Sequence, residues 1–77
     1  MPKRRRLPAL RPERIIRALQ GCGFSVKRTT GSHYFLTRPG LDHTVTIARH
    51  SPDLPPGTIR QILQSAEVSE GEFLKHV

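Results

Sequence analysis

The sequence has a single cysteine, no tryptophan and only six acidic residues among its 77 positions. One cysteine, Cys22, excludes an internal disulfide framework and suits a reducing compartment, so a cytoplasmic setting is expected. Cys22 itself reads as a small packed residue. Long hydrophobic runs are missing too, and stretches of a few apolar residues span no membrane. The opening Met1-Pro2-Lys3-Arg4-Arg5-Arg6-Leu7-Pro8 starts charged but lacks the apolar run of about 7–15 residues found in a secretory signal. The ligand-type residues Cys22, His33, His43, His50 and His76 show no C-x-x-C or H-x-x-x-H spacing, so neither metal nor other cofactor is expected. No Walker-type phosphate loop and no G-x-S-x-G elbow occurs. The few acids lie mostly in the last third, which argues against paired-carboxylate chemistry.

What the chain does have is positive charge, unevenly placed. The net charge is +7; residues 1–41 carry ten Lys or Arg against one acid, Glu13, whereas residues 42–77 carry three against five. A compact domain with one strongly basic half binds polyanions, because each neutralised phosphate releases condensed counterions. Hydrophobic residues make up 35% and include three Phe, enough for one modest core and no second domain.

Residues 1–10 read as a flexible basic arm, since four neighbouring cations repel one another and two prolines interrupt any pattern. Two roles fit it, contact with phosphates or a solvated tail. Residues 11–77 form the folded domain. Pro12 suits a first helical position, and Ile15, Ile16 and Leu19 share one face while Arg11, Arg14 and Arg17 recur along another. Gly21 and Gly23 end this helix, with Phe24 closing the stop.

Three strand candidates follow. Phe24 to Arg28 alternates as a half-buried strand, and Thr29-Thr30-Gly31 breaks it. Ser32 to Arg38 is the second run, ended by Pro39-Gly40-Leu41-Asp42. His43 to Ala48 places Val45 and Ile47 on one face and Thr44 and Thr46 on the other. After the linker Arg49–Pro55, Pro56 opens a helix in which Ile59, Ile62, Leu63 and Ala66 make a full apolar stripe. Ser69 and Glu72 have capping-box spacing, and Val68 with Phe73 has the spacing of a hydrophobic staple. A short last helix is expected over roughly 69–76. The order predicts an α+β two-layer sandwich, helices on one face of a three-stranded antiparallel sheet.

Chemistry centres on histidine among cations. Lys27-Arg28-Thr29-Thr30-Gly31-Ser32-His33 sets two cations before a glycine turn and a histidine that opens a strand. RNA carries its own nucleophile, the 2′-hydroxyl. Cleavage therefore needs only a base, an acid for the leaving oxygen, and cations for the phosphorane charge. His33 suits base or acid, with Lys27 and Arg28 supplying charge. His50 is the candidate for a second proton-transfer group or, equally, an exposed loop histidine. Strand alternation puts His33 with Phe35 and sets Tyr34 and Leu36 on the other face. A small core favours Phe35 inward, with His33 at the sheet rim; if Phe35 points outward, it and His33 form a stacking surface for unpaired bases.

Gly23-Phe24, Gly31-Ser32-His33, Thr44-Val45-Thr46-Ile47 with His50, Leu54-Pro55-Pro56-Gly57-Thr58-Ile59-Arg60-Gln61-Ile62-Leu63, Val68-Ser69 and Glu72-Phe73-Leu74 together resemble the HicA (YcfA-like) toxins. The likeness runs in order over residues 12–77. It implies a fold like the double-stranded-RNA-binding domain, α-β-β-β-α, here with a short C-terminal helix. It also implies metal-independent endoribonuclease activity on mRNA, and neutralisation by a HicB-type antitoxin. The family's catalytic histidine falls on His33, and Lys27, Arg28, Gly31, Ser32, Arg14 and Arg17 are the expected contacts to single-stranded RNA. Glu67 stands where the family commonly has glycine. Two other functions fit the residues alone: a non-catalytic RNA-binding module, and a protein-interaction module with a basic face.

Overall fold

The computed structural model describes residues 7–77, which form α1 (Pro12–Gly21), β1 (Ser25–Thr29), β2 (His33–Thr37), β3 (Val45–Ala48), α2 (Pro56–Ala66) and α3 (Glu70–Leu74). The strands make one antiparallel sheet in the order β1-β2-β3. This is the α-β-β-β-α two-layer arrangement expected from the sequence, compatible with the double-stranded-RNA-binding type of fold. Among the described residues no helix is long and apolar enough to cross a membrane.

Helix ends follow local chemistry. Pro12 and Pro56 start α1 and α2, where a missing N–H costs nothing. Past α1, Gly23 takes φ 98°, and the Phe24 amide donates to the Leu19 carbonyl at 3.0 Å. That closure carries Phe24 into the core. Helix α2 ends on Glu67 in the left-handed conformation, φ 58° and ψ 40°. The Ser69 Oγ accepts the Glu72 amide at 3.1 Å and caps α3. The reciprocal half of the box is not made; the Glu72 carboxylate faces Lys75 and His76 instead, at 3.5 Å each.

The core lies between helices and sheet. Ile15 and Leu19 from α1, Leu36 from β2, Val45 and Ile47 from β3, Ile59 from α2 and Phe73 from α3 are its most enclosed side chains. Of the arm expected over residues 1–10, residues 1–6 lie outside the described residues, while Leu7 and Leu10 are buried in this core. Leu10 and Leu54 exchange backbone hydrogen bonds at 3.1 and 2.7 Å, an isolated antiparallel bridge. This bridge also pins the linker before α2.

Two expectations about the sheet change. β1 is exposed along all five residues rather than half-buried. It is an edge strand, and Val26 is its one large apolar residue, 37% exposed. Phe35 is outside the core, because Leu36 and the partly buried Tyr34 of the same strand pack with Val45 and Ile47 on the inner face. Alternation then sends His33 and Phe35 to the outer face together.

Candidate active site

The turn between β1 and β2 is closed by one threonine. The Thr30 Oγ1 accepts the His33 amide at 3.0 Å and the Ser32 amide at 3.3 Å, and the Thr30 amide donates to the His33 carbonyl at 2.9 Å. Gly31 and Ser32 form the exposed tip, and His33, half-buried, begins β2. The Ser32 Oγ lies 2.9 Å from His33 Nδ1. That contact orients the imidazole and leaves Nε2 as the nitrogen that can meet a ligand.

The segment following β3 buttresses this turn. The Arg49 amide donates to the Ser32 carbonyl at 2.8 Å, and its Nη1 donates to the Thr30 carbonyl at 2.9 Å. The His50 Nε2–H donates to the Gly31 carbonyl at 2.7 Å. So His50, which the sequence places in the linker after the third strand, is tied to the same four-residue turn as His33. When neutral it keeps Nδ1 to accept a proton. Sequence reasoning passed over Arg49, which also lies over the Tyr34 ring at 5.7 Å. Its signal was the antiparallel register: Ala48 pairs with His33, so the next residues must flank the glycine turn.

Lys27 and Arg28 reach the outer sheet face, where with Phe35 and Thr44 they line an open cleft of ≈ 290 Å³. The β1–β2 register shifts between Val26 and Arg28. Strict alternation would put Arg28 on the face of Phe24 and Val26. The bulge at Lys27 instead sets Arg28 opposite Phe35. Its guanidinium lies 4.8 Å from the Phe35 ring centroid, and the His33 and Phe35 centroids are 6.3 Å apart with planes tilted 48°.

Arg14 and Arg17 are exposed on α1, in the helical layer. Among the described residues no hydrogen bond or ion pair joins them to the His33 turn. A second hollow, lined by Arg11, Glu13, Arg49, His50 and Asp53 among others, connects His50 to the start of α1. Its charge is mixed, unlike the outer sheet face.

Two other histidines sit apart. His43, beyond the β2 end opposite His33, meets Asp42 at 2.9 Å through Nδ1 and donates from Nε2 to the Ser65 carbonyl at 2.6 Å. The Asp42 hydrogen bond, then that carbonyl, push its pKa up. His76 joins Cys22 and Glu72, whose ligand-type atoms all lie within 4.8 Å of one another. Burial first, then the Glu72 charge, raises the Cys22 thiol, against an opposing pull from Arg38. Glu72 and His76 are one helical turn apart, but Cys22 precedes them by 50 and 54 positions, which is why spacing does not announce the group. None belongs to the His33 turn.

Residues 12–68, more than half of the chain, match the family described as HicA toxin of bacterial toxin–antitoxin. The chain belongs to the HicA toxin family. The match takes in α1, the whole sheet, the His33 turn, His50 and α2, and stops before α3. No curated protein matches the chain.

Proposed function

We propose that this HicA family member is the RNA-cleaving toxin of a toxin–antitoxin pair, with His33 as a proton-transfer group. The observation that carries the proposal is the His33 turn. A histidine with one nitrogen held by Ser32 at 2.9 Å shares its turn with a second histidine, hydrogen-bonded to Gly31, on a fold whose family is toxic.

The 2′-hydroxyl of the RNA attacks the adjacent phosphorus as a base takes its proton. The bond to the 5′-oxygen then breaks as an acid protonates that oxygen, leaving a 2′,3′-cyclic phosphate and a 5′-hydroxyl. His33 Nε2 takes one of these roles and His50 Nδ1 the other. Lys27, Arg28 and Arg49 offset the charge that gathers on the phosphorane oxygens. The nucleophile belongs to the substrate, so no metal is required to make one. A single-stranded mRNA segment is the substrate. The partner is a HicB-type antitoxin that covers the turn, and the setting is cytoplasmic.

The test is cleavage of single-stranded RNA in EDTA by the wild-type chain and by His33→Ala. The expected loss is roughly 10²–10⁴-fold, and a substrate with a 2′-deoxy sugar at the cut resists. Undiminished cleavage by a folded His33→Ala protein rejects the role of His33. Salt-sensitive RNA binding without cleavage by the wild type would instead identify a non-catalytic RNA-binding module.

A further inference from the structure

We propose that Phe35 and Arg28 form a base-stacking subsite beside His33, which holds one unpaired nucleobase of the RNA at the point of cleavage. The inference rests on the RNA-cleaving function proposed above and adds to it a residue that selects single-stranded substrate.

The Lys27 bulge and the β2 alternation bring an aromatic ring and a guanidinium together on a sheet face that, among the described residues, no helix covers. Arg28 is the register partner of Phe35 and lies 4.8 Å from its ring centroid. Nucleobases stack both on aromatic rings and on guanidinium planes. His33 is not a second tile of this surface, since its ring is tilted 48° to Phe35. It sits two residues along the strand, an advance of roughly 6.6 Å. A nucleotide whose base lies on the Arg28–Phe35 stack therefore brings its own 2′-hydroxyl or the adjoining phosphate to His33. A base still paired in a duplex presents an edge, not a face.

Charge and apolar area both favour RNA over a protein segment here. Residues 25–48 contain Lys27, Arg28 and Arg38 and a single acid, Asp42, which is engaged by His43. Val26 is the only exposed large hydrophobic residue among those described, too little apolar surface for a protein docking patch.

The chain has no tryptophan, so Phe35→Trp introduces a single fluorophore at the subsite. Affinity for a short single-stranded RNA is measured in the His33→Ala background, with Phe35 further replaced by Ala, Leu or Trp. Stacking predicts that Ala and Leu both weaken binding, roughly 5–100-fold, and that Trp preserves it. Trp emission is quenched on binding. An abasic nucleotide at the cut position lowers the affinity of the Phe35 protein and not of the Phe35→Ala variant. If Phe35→Ala binds as tightly as its parent while the wild type still cleaves RNA, the subsite is wrong and the cleavage stands. If the wild type neither binds nor cleaves RNA, both proposals fall. If Phe35→Ala loses antitoxin binding and keeps RNA binding, the surface is a protein interface and the stacking subsite is rejected.

Discussion

The Ser32 Oγ lies 2.9 Å from Nδ1 of His33, so one nitrogen of the imidazole is committed to the protein and the other is left for substrate. Ser32 is thus a positioning residue in the proposed cleavage. A neutral hydrogen bond contributes about 1 kcal/mol, which corresponds to roughly 5-fold in rate. Ser32→Ala is expected to lower kcat by about that factor with KM little changed. Ser32→Thr, which keeps the hydroxyl, should restore kcat. A purely structural role would reduce thermal stability and leave the kcat of the folded protein in place.

His43 links the β2–β3 turn to the end of α2, and its protonated form is the one the fold favours. The pKa is raised above the ordinary 6.5 by Asp42 first and by the Ser65 carbonyl second. Its contribution to stability is therefore complete below pH 6.5 and fades as pH climbs through the raised value. The Asp42 carboxyl moves the other way: its pKa is lowered from 3.8 by His43, so its share fades as pH falls through that lowered value. The Tm difference between wild type and His43→Ala should be widest between these limits. Thermal melts from pH 3 to 9, with a histidine proton NMR titration, check both edges; a difference that grows toward pH 9 would contradict the assignment.

Glu67 holds φ 58° at the end of α2, a conformation that costs a residue with a Cβ about 1–2 kcal/mol. Glycine there removes the cost and gives back part of it as unfolded-chain freedom. Glu67→Gly is expected to stabilise by about 0.5–1 kcal/mol, seen as a Tm higher by a few degrees. The Arg38 contact survives because it reaches the Glu67 carbonyl, at 3.5 Å. An unchanged or lower Tm would mean that the Glu67 side chain itself stabilises the fold.

Leu10 is buried and bridges Leu54 through the backbone. Leu10→Ala should cost about 2–4 kcal/mol, a large share of the stability of so small a domain. Arg11→Ala, one residue on, removes only an exposed 3.9 Å pairing with Asp53 and should stay within about 0.5 kcal/mol. Urea unfolding separates the two. Equal midpoints would place the segment before α1 outside the cooperative fold.

Local signals in the sequence determined much of this protein. The 3.6-residue period over Ile59, Ile62, Leu63 and Ala66, the prolines opening both long helices, and the Ser69 cap each rest on neighbours a few residues away. The β3 alternation around Val45 and Ile47 is equally local. The basic character of the first half is written in composition, and the Gly31-Ser32-His33 turn is contiguous. Each of these was legible because the interaction that enforces it is short in sequence.

Only the tertiary structure decided which face is covered and what lies across it. Alternation groups His33 with Phe35 and separates them from Leu36, but the same pattern serves with either face inward. Packing resolved that choice when Leu36, Val45 and Ile47 closed the core beneath the helices. The Lys27 bulge, which moves Arg28 beside Phe35, depends on a partner strand that β1 does not encode. The tie from His50 to Gly31 spans 19 positions, and Leu10 finds Leu54 across 44. In each case the energy comes from long-range closure, which a reading by neighbours does not contain.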